Sequence, residues 1–319
     1  MKKRDFFALL GGAAAWPLAV FAQQQARKPI LGFLIPANPE PVFGYFKEGL
    51  QKLGYIEGRN IHIEFRSAEG KPERLAGLAA ELVRLKVDVL VAAQTPAITA
   101  AKQATSQIPI VMAGSGDPVG TGLIASLARP GGNITGTSGT TAELGAKILE
   151  LIREAVPSVK RVAVLANATD PFTKSFLQQI LLAGHTMSIE ISSAMIRETG
   201  EFGAAFSDMV KRRTNAVIVQ PSLQRKAAAE MALQHRLPAV SPTGAFPSEG
   251  GLMSYAANLP DLYRETVAYV EKILKGAKPA DLPVQQPTRF DLILNLKTAK
   301  ALGLSIPQSL LFRADKVIE

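Results

Sequence analysis

Small polar residues follow the predicted β-strands in both halves of the chain. In parallel α/β sheets, ligands bind at the carboxyl ends of the strands, beside the N-termini of helices. Residues of these types at these positions therefore predict a site that binds a small molecule. The residues at the strand ends, together with Tyr255, form the predicted ligand site: Asn38, Gln94, Thr95, Pro96, Ala97, Ser115, Asp117, Asn167, Thr169, Gln220 and Tyr255.

Three of these residues suggest a specific chemistry. Thr95 provides a hydroxyl at a predicted helix start, where free backbone N–H groups suit a carboxylate. Asp117 lies in a glycine-rich loop after an apolar strand and suits an ammonium group. Each of these two residues has an alternative role as the cap of a local turn. Tyr255 is suited to stacking on a ligand ring, and packing within a hinge is its alternative role.

Patterns typical of enzymes are incomplete in this chain. Residues 120–125 match a loose dinucleotide-binding pattern, but they follow a fourth strand instead of a first, and the turn at 130–132 interrupts them. Residues 136–140 lack the second glycine of a nucleophile elbow. The three histidines lie far apart in sequence, which favours structural roles over metal ligation. We therefore predict no enzymatic activity, no cofactor and no metal.

The elements that position the polar residues alternate regularly along the chain. Short apolar runs alternate with helical periodicity over residues 30–112, and the same order returns over residues 162–240. Repeated strand–helix units of this kind form parallel sheets with helices on both faces. The predicted fold class is therefore α/β, with two doubly wound parallel-sheet lobes.

The connections between the two repeats predict a hinge. The first passes the turn at 130–133 and reaches a capping box formed by Thr140 and Glu143. The others are a loop at 242–251 and a proline-rich stretch at 279–287. Because two short strand–helix pieces follow the second repeat, we expect them to be shared between the lobes. The predicted division assigns residues 29–137 and 253–284 to the first lobe, and residues 138–252 and 285–319 to the second.

Residues 1–22 are typical of a bacterial export signal. A basic start precedes an apolar stretch, and Val20-Phe21-Ala22 supplies small residues at −3 and −1 of a cleavage site. The alternative is a membrane anchor, but the apolar core has only about fifteen residues and contains Pro17, whereas a spanning helix needs roughly twenty. Lys3-Arg4 resembles a twin-arginine signal with lysine in the first position, which leaves a Tat-like and a Sec route open.

Composition narrows the class of protein further. The chain has no cysteine, and therefore no disulfide, no thiolate metal site and no lipidation cysteine at the cleavage site, so we expect a free periplasmic protein. The net charge is +9, but the basic residues are scattered. The densest cluster, Lys211-Arg212-Arg213, lies where a helix should end, where cations are favourable. We predict a monomer with no nucleic-acid partner.

Several motifs, in their order and spacing, resemble those of a known family. They are GYFKEGL at 44–50 with GYIEGRN at 54–60, DPV at 117–119, SLARPGGNITG at 126–136, GGLMSY at 250–255 and KPADLPVQ at 278–285. On these residues the chain resembles the solute-binding proteins of ABC importers, of the tryptophan/tyrosine type. The resemblance runs from the export signal to Glu319.

The resemblance implies a type I periplasmic-binding-protein fold, in which two lobes joined by a three-crossing hinge close on a ligand. It also implies an ABC permease in the inner membrane as partner, and an aromatic or branched amino acid or a related carboxylate as ligand. Two departures lie near the expected cleft: Ala256 stands where glycine is usual, and residues 220–223 replace an acidic, aromatic-rich segment. We therefore do not infer the identity of the ligand from the resemblance.

Two other functions remain as alternatives at this stage. One is a secreted enzyme of α/β fold, and the other is a ligand-sensing domain of a signalling receptor, which would share the same fold. The predicted cleft segments contain few charges besides Asp117 and Asp170. This argues against phosphates and polyanionic sugars as ligands.

Overall fold

A computed structural model describes residues 27–37, 39–139 and 144–319. The predicted export signal, Asn38 and the predicted capping box of Thr140 and Glu143 lie outside the described residues. No helix of the described part is long and apolar enough to cross a membrane.

The first sheet has five parallel strands in the order β2-β1-β3-β4-β5. Its elements, in chain order, are β1 (Ile30–Ile35), α1 (Val42–Lys52), β2 (His62–Ser67), α2 (Leu75–Arg84), β3 (Val89–Ala93), α3 (Gln94–Ala104), β4 (Ile110–Ser115) and β5 (Ile134–Ser138). The strand order reverses direction between β1 and β3, which is where ligand crevices open in such sheets.

The second sheet has seven strands in the order β12-β11-β10-β9-β8-β6-β7. All neighbouring strands are parallel except β10 and β11, which are antiparallel. The remaining elements, in chain order, are α4 (Gly145–Ala155), β6 (Arg161–Asn167), α5 (Thr173–Met187), β7 (Glu190–Ile196), α6 (Phe202–Lys211), β8 (Ala216–Val219), α7 (Arg225–Gln234), β9 (Ala239–Ser241), β10 (Met253–Ala257), α8 (Leu259–Leu274), β11 (Phe290–Asn295), α9 (Leu296–Leu302), α10 (Gln308–Arg313) and β12 (Lys316–Ile318).

Apolar cores lie on both faces of each sheet. In the first sheet, Leu34 and Leu90 belong to one core, whereas the adjacent Phe33 and Val91 belong to the other. Successive side chains of a strand point to opposite faces, and a parallel sheet is covered by helices on both. This is why the strands are nearly continuous apolar runs, and why the sequence predicts them well.

Three crossings connect the lobes. The first leads from β5 to α4, the second from β10 to α8, and the third from residue 282 to β11. The third runs beside the first, because Gln285 accepts a hydrogen bond from Ser138 N at 2.8 Å and donates one to Gly136 O at 3.0 Å. The predicted α/β class, with two doubly wound lobes joined by a three-crossing hinge, is confirmed.

The lobe boundary near residue 253 needs correction. Residues 253–284 were expected to belong together in the first lobe, but β10 pairs with β9 and β11 in the second sheet. The crossing comes after Ala257, where Asn258 caps α8 by accepting a hydrogen bond from Asp261 N at 2.9 Å. Helix α8 then packs on α1 and on β3, β4 and β5 of the first lobe. The strand stays with the second sheet because Leu252 N already bonds to Ala239 O and extends the ladder from β9.

Candidate functional site

A narrow cavity of about 80 Å³ lies between the two lobes, beside the hinge. Strand ends and helix starts from both lobes line it, among them Gln94, Gly114, Thr243 and Leu262. A larger pocket of about 350 Å³ lies against the three crossings and is lined by Thr137, Asn258 and Gln285, among others. We place the candidate site in the smaller cavity because it lies at the carboxyl ends of strands of both sheets, where α/β folds bind ligands.

Arg225 carries the fixed positive charge of the described cavity lining. It is the first residue of α7, and its side chain is only 2% exposed. Its Nε and Nη2 donate to the two carboxylate oxygens of Glu249, both at 2.8 Å. A cation is unfavourable at a helix N-terminus, and this bidentate pair with a carboxylate offsets that cost. We did not predict Arg225 from the sequence, although an arginine at a helix start was a usable signal.

Two aromatic residues line the same cavity. Tyr263 on α8 is fully enclosed, and burial raises the pKa of its hydroxyl well above the usual range, against the opposing effect of the positive charge of Arg225. Its phenol is therefore neutral. Phe290 at the start of β11 stacks on Tyr255, with 5.9 Å between the ring centroids. Tyr255 thus packs on Phe290, in keeping with its alternative role, and its stacking on a ligand ring stays a prediction.

Among the predicted site residues that the structure describes, Gln94 lines this cavity. It follows β3 directly, and its backbone is left-handed, with a φ of 66°. Its Nε2 donates to Pro221 O of the other lobe at 3.2 Å. Its Oε1 is buried and has no hydrogen-bond partner among the described residues.

The other predicted residues of the first lobe bond to their own loops. Thr95 Oγ1 accepts from Gly116 N at 3.1 Å, which ties the end of β3 to the end of β4. Asp117 Oδ1 accepts from Gly120 N at 2.9 Å and caps its own turn, which was its alternative role. Ser115 and Ala97 are completely buried, and Ala97 belongs to a core. A direct role of these residues in ligand contact stays a prediction.

The predicted residues of the second lobe form one buried network at the ends of β6 and β8. Gln220 Oε1 accepts from Asn167 N at 2.8 Å, and Gln220 Nε2 donates to Asp170 Oδ2 at 2.8 Å. Ser222 donates to the same Asp170 oxygen at 2.7 Å. Desolvation raises the pKa of Asp170 to about 6, against these hydrogen bonds, which lower it. Asn167 and Thr169, together with Pro96 of the first lobe, also line grooves at the rim of the cleft.

The raised pKa of Asp170 makes the unfolding free energy depend on pH. Because folding raises its pKa from 3.8 to about 6, the folded protein binds the proton more tightly than the unfolded chain. The stabilisation that comes from this tighter proton binding is present at about pH 4 and is lost as the pH rises through about 6. Relative to Asp170→Asn, we expect the unfolding free energy of the natural protein to fall by about 2–3 kcal/mol between about pH 4 and pH 7. Urea unfolding of both proteins across this range measures it, and parallel curves would contradict it.

Direct contacts hold the lobes together outside the cavity. A Cβ atom built on Gly116 of the first lobe would lie 2.6 to 2.7 Å from the ring of Phe172 in the second. A Cβ built on Gly70 would likewise meet the side chain of Gln224 at 2.1 to 2.6 Å. With the bond from Gln94 to Pro221, these contacts describe lobes that are closed on each other.

Comparison with known proteins identifies the family. Residues 37–318 match the family model described as ABC transporter substrate binding protein. The chain belongs to this family. The substrate-binding protein is 28% identical to the tyrosine-binding protein of Clostridioides difficile (strain R20291) over 262 residues, which are 81% of this chain and 75% of that relative. The predicted family and fold are confirmed.

Two solved structures also bear on the arrangement of the lobes. An ABC domain in complex with L-Trp from Streptococcus pneumonia is 27% identical, covers 91% of this chain and 100% of its own, and superimposes with a TM-score of 0.81. The ligand-free, open structure of a substrate binding protein with adhesive properties from Clostridium difficile is 25% identical and covers 91% and 99%, yet its TM-score is 0.62. The lobes of this substrate-binding protein therefore stand nearer to the ligand-bound arrangement.

Proposed function

We propose that this protein is the periplasmic component of an ABC importer and holds an aromatic or branched amino acid, or a related carboxylate, between its two lobes. The observation that carries the proposal is the cavity at the strand ends of both lobes, where the buried Arg225 and the neutral phenol of Tyr263 meet. A guanidinium suits the carboxylate of such a ligand, and an enclosed aromatic residue suits its side chain.

The similar proteins support this ligand class without fixing the ligand. One relative is named for binding tyrosine, and one similar structure contains L-Trp. We propose delivery to an inner-membrane permease by a monomer that leaves the ligand chemically unchanged. The predicted export signal at residues 1–22, of Tat-like or Sec type, supports the periplasmic location.

A thermal-shift panel followed by calorimetry tests the proposed ligand class. A ligand that binds only the folded protein stabilises it by RT ln(1 + [L]/Kd), so at a hundred times Kd we expect about 2.7 kcal/mol and a clear rise in Tm. We expect L-tyrosine, L-tryptophan or L-leucine to give this rise, and mass spectrometry to recover the compound unaltered. Stabilisation by sugars alone would contradict the ligand class, and conversion of the compound would favour the enzyme alternative.

A further inference from the structure

The backbone of Gln94 is unusual for its position. Of the six other described non-glycine residues with positive φ, Lys86, Ser188, Arg213 and Arg236 each lie at or just after the end of a helix, where this conformation is ordinary, and Glu69 and Asp117 lie in loops. Gln94 instead begins a helix, directly after β3. Glycine would adopt this conformation without strain, so the presence of glutamine here points to a function for its amide.

The two polar atoms of that amide have different surroundings. Nε2 donates to Pro221 O of the second lobe. Gln94 lines the cavity, and its Oε1 is buried with no hydrogen-bond partner in the described part of the chain. A buried acceptor without a donor is unfavourable, because it has lost water and gained nothing. Oε1 therefore needs a hydrogen-bond donor, and a ligand that enters the cavity beside Gln94 can provide one.

Two residues of the cavity lining thus have opposite hydrogen-bonding preferences. Arg225 only donates hydrogen bonds and suits an acceptor such as a carboxylate. Gln94 Oε1 only accepts, and it suits an N–H donor. An amino acid carries both kinds of group, a carboxylate and an amine.

We propose that Gln94 is the residue that recognises the amine of the ligand, with Oε1 accepting from the ligand and Nε2 holding the second lobe. The inference rests on the proposed function and narrows it, because an amino acid satisfies Gln94 and the related carboxylic acid without an amine does not. Since Pro221 is reached across the cleft, recognition of the amine is coupled to closure of the lobes.

Matched ligand pairs that differ only in the amine test the proposal by calorimetry. The pairs are L-tyrosine with 3-(4-hydroxyphenyl)propionate, L-tryptophan with indole-3-propionate, and L-leucine with 4-methylpentanoate. A site built to hydrogen-bond a group rejects the analogue that lacks it, so for the pair that binds we expect a preference of at least about 100-fold for the amino acid.

Two variants test the acceptor and the donor of the Gln94 amide separately. Gln94→Met keeps the length and removes both hydrogen bonds, so the preference should fall to within about tenfold. Gln94→Glu keeps an acceptor and loses the donor to Pro221, so both ligands should bind more weakly while the preference remains. The Tm of each variant without ligand shows that it is folded.

Three outcomes would overturn the proposal. If Gln94→Met kept the full preference, or if the natural protein bound both members of a pair equally, Gln94 would not recognise the amine, although the proposed function would stand. If all six compounds failed to bind, the proposed ligand class would fall, and the role of Gln94 with it.

Discussion

Replacing Gly116 with alanine is expected to weaken ligand binding by about 10- to 100-fold while the ligand-free protein keeps its thermal stability. The added Cβ would lie 2.6 to 2.7 Å from the Phe172 ring across the cleft, closer than real contacts allow. Overpacking of this kind costs about 1–3 kcal/mol, and the expected loss of affinity, about 1.4–2.7 kcal/mol, lies within this range. Because Gly116 does not have a left-handed backbone, alanine is not strained when the lobes are apart.

Calorimetry on Gly116→Ala measures the effect, and Gly77→Ala is its matched control. Gly77 lies on the exposed side of α2, and a Cβ built there meets no atom within 4 Å, so binding should not change. Adding Phe172→Leu to Gly116→Ala makes room at the contact and should recover part of the affinity. Equal affinities of Gly116→Ala and Gly77→Ala would show that this contact is not needed for binding.

The second large effect is expected at Glu249. Glu249→Ala removes the carboxylate that accepts two hydrogen bonds from the buried Arg225 guanidinium, which should lower the unfolding free energy by about 3–5 kcal/mol. The control is Asp208→Ala, which breaks an ion pair with Arg212 whose side chains are 57% and 67% exposed and should cost at most about 1 kcal/mol.

A second substitution shows whether the buried charge of Arg225 is the cause of the lost stability. Arg225→Met in the Glu249→Ala background removes that charge, so we expect it to recover most of the lost stability in urea unfolding. A loss at Glu249 no larger than that at Asp208 would contradict the account of a desolvated pair.

Much of the fold could be predicted because it depends on local patterns. The buried strands are apolar runs, and their order repeats in the two lobes, so the sheets and the hinge follow from the sequence. The place of β10 in the second sheet does not follow from the sequence, because its pairing with β9 and β11 is decided by tertiary contacts.

The site was harder to predict for a physical reason. A polar residue at a strand end bonds either to a ligand or to a neighbouring loop, and spacing does not distinguish the two. Thr95 and Gln220 bond to neighbouring loops, whereas Gln94, one residue before Thr95, lines the cavity. The position of Arg225 depends on Glu249, which lies 24 residues further along the chain, and no local pattern connects them.

Small-angle X-ray scattering, with and without saturating ligand, tests the central claim that the ligand is held between lobes that close on it. The radius of gyration of the natural protein should decrease when ligand is added, because contacts from both lobes favour the closed arrangement. Gly116→Ala, at a ligand concentration that saturates it, should compact less. An unchanged radius of gyration for the natural protein at saturation, with binding verified by calorimetry in the same sample, would contradict the claim.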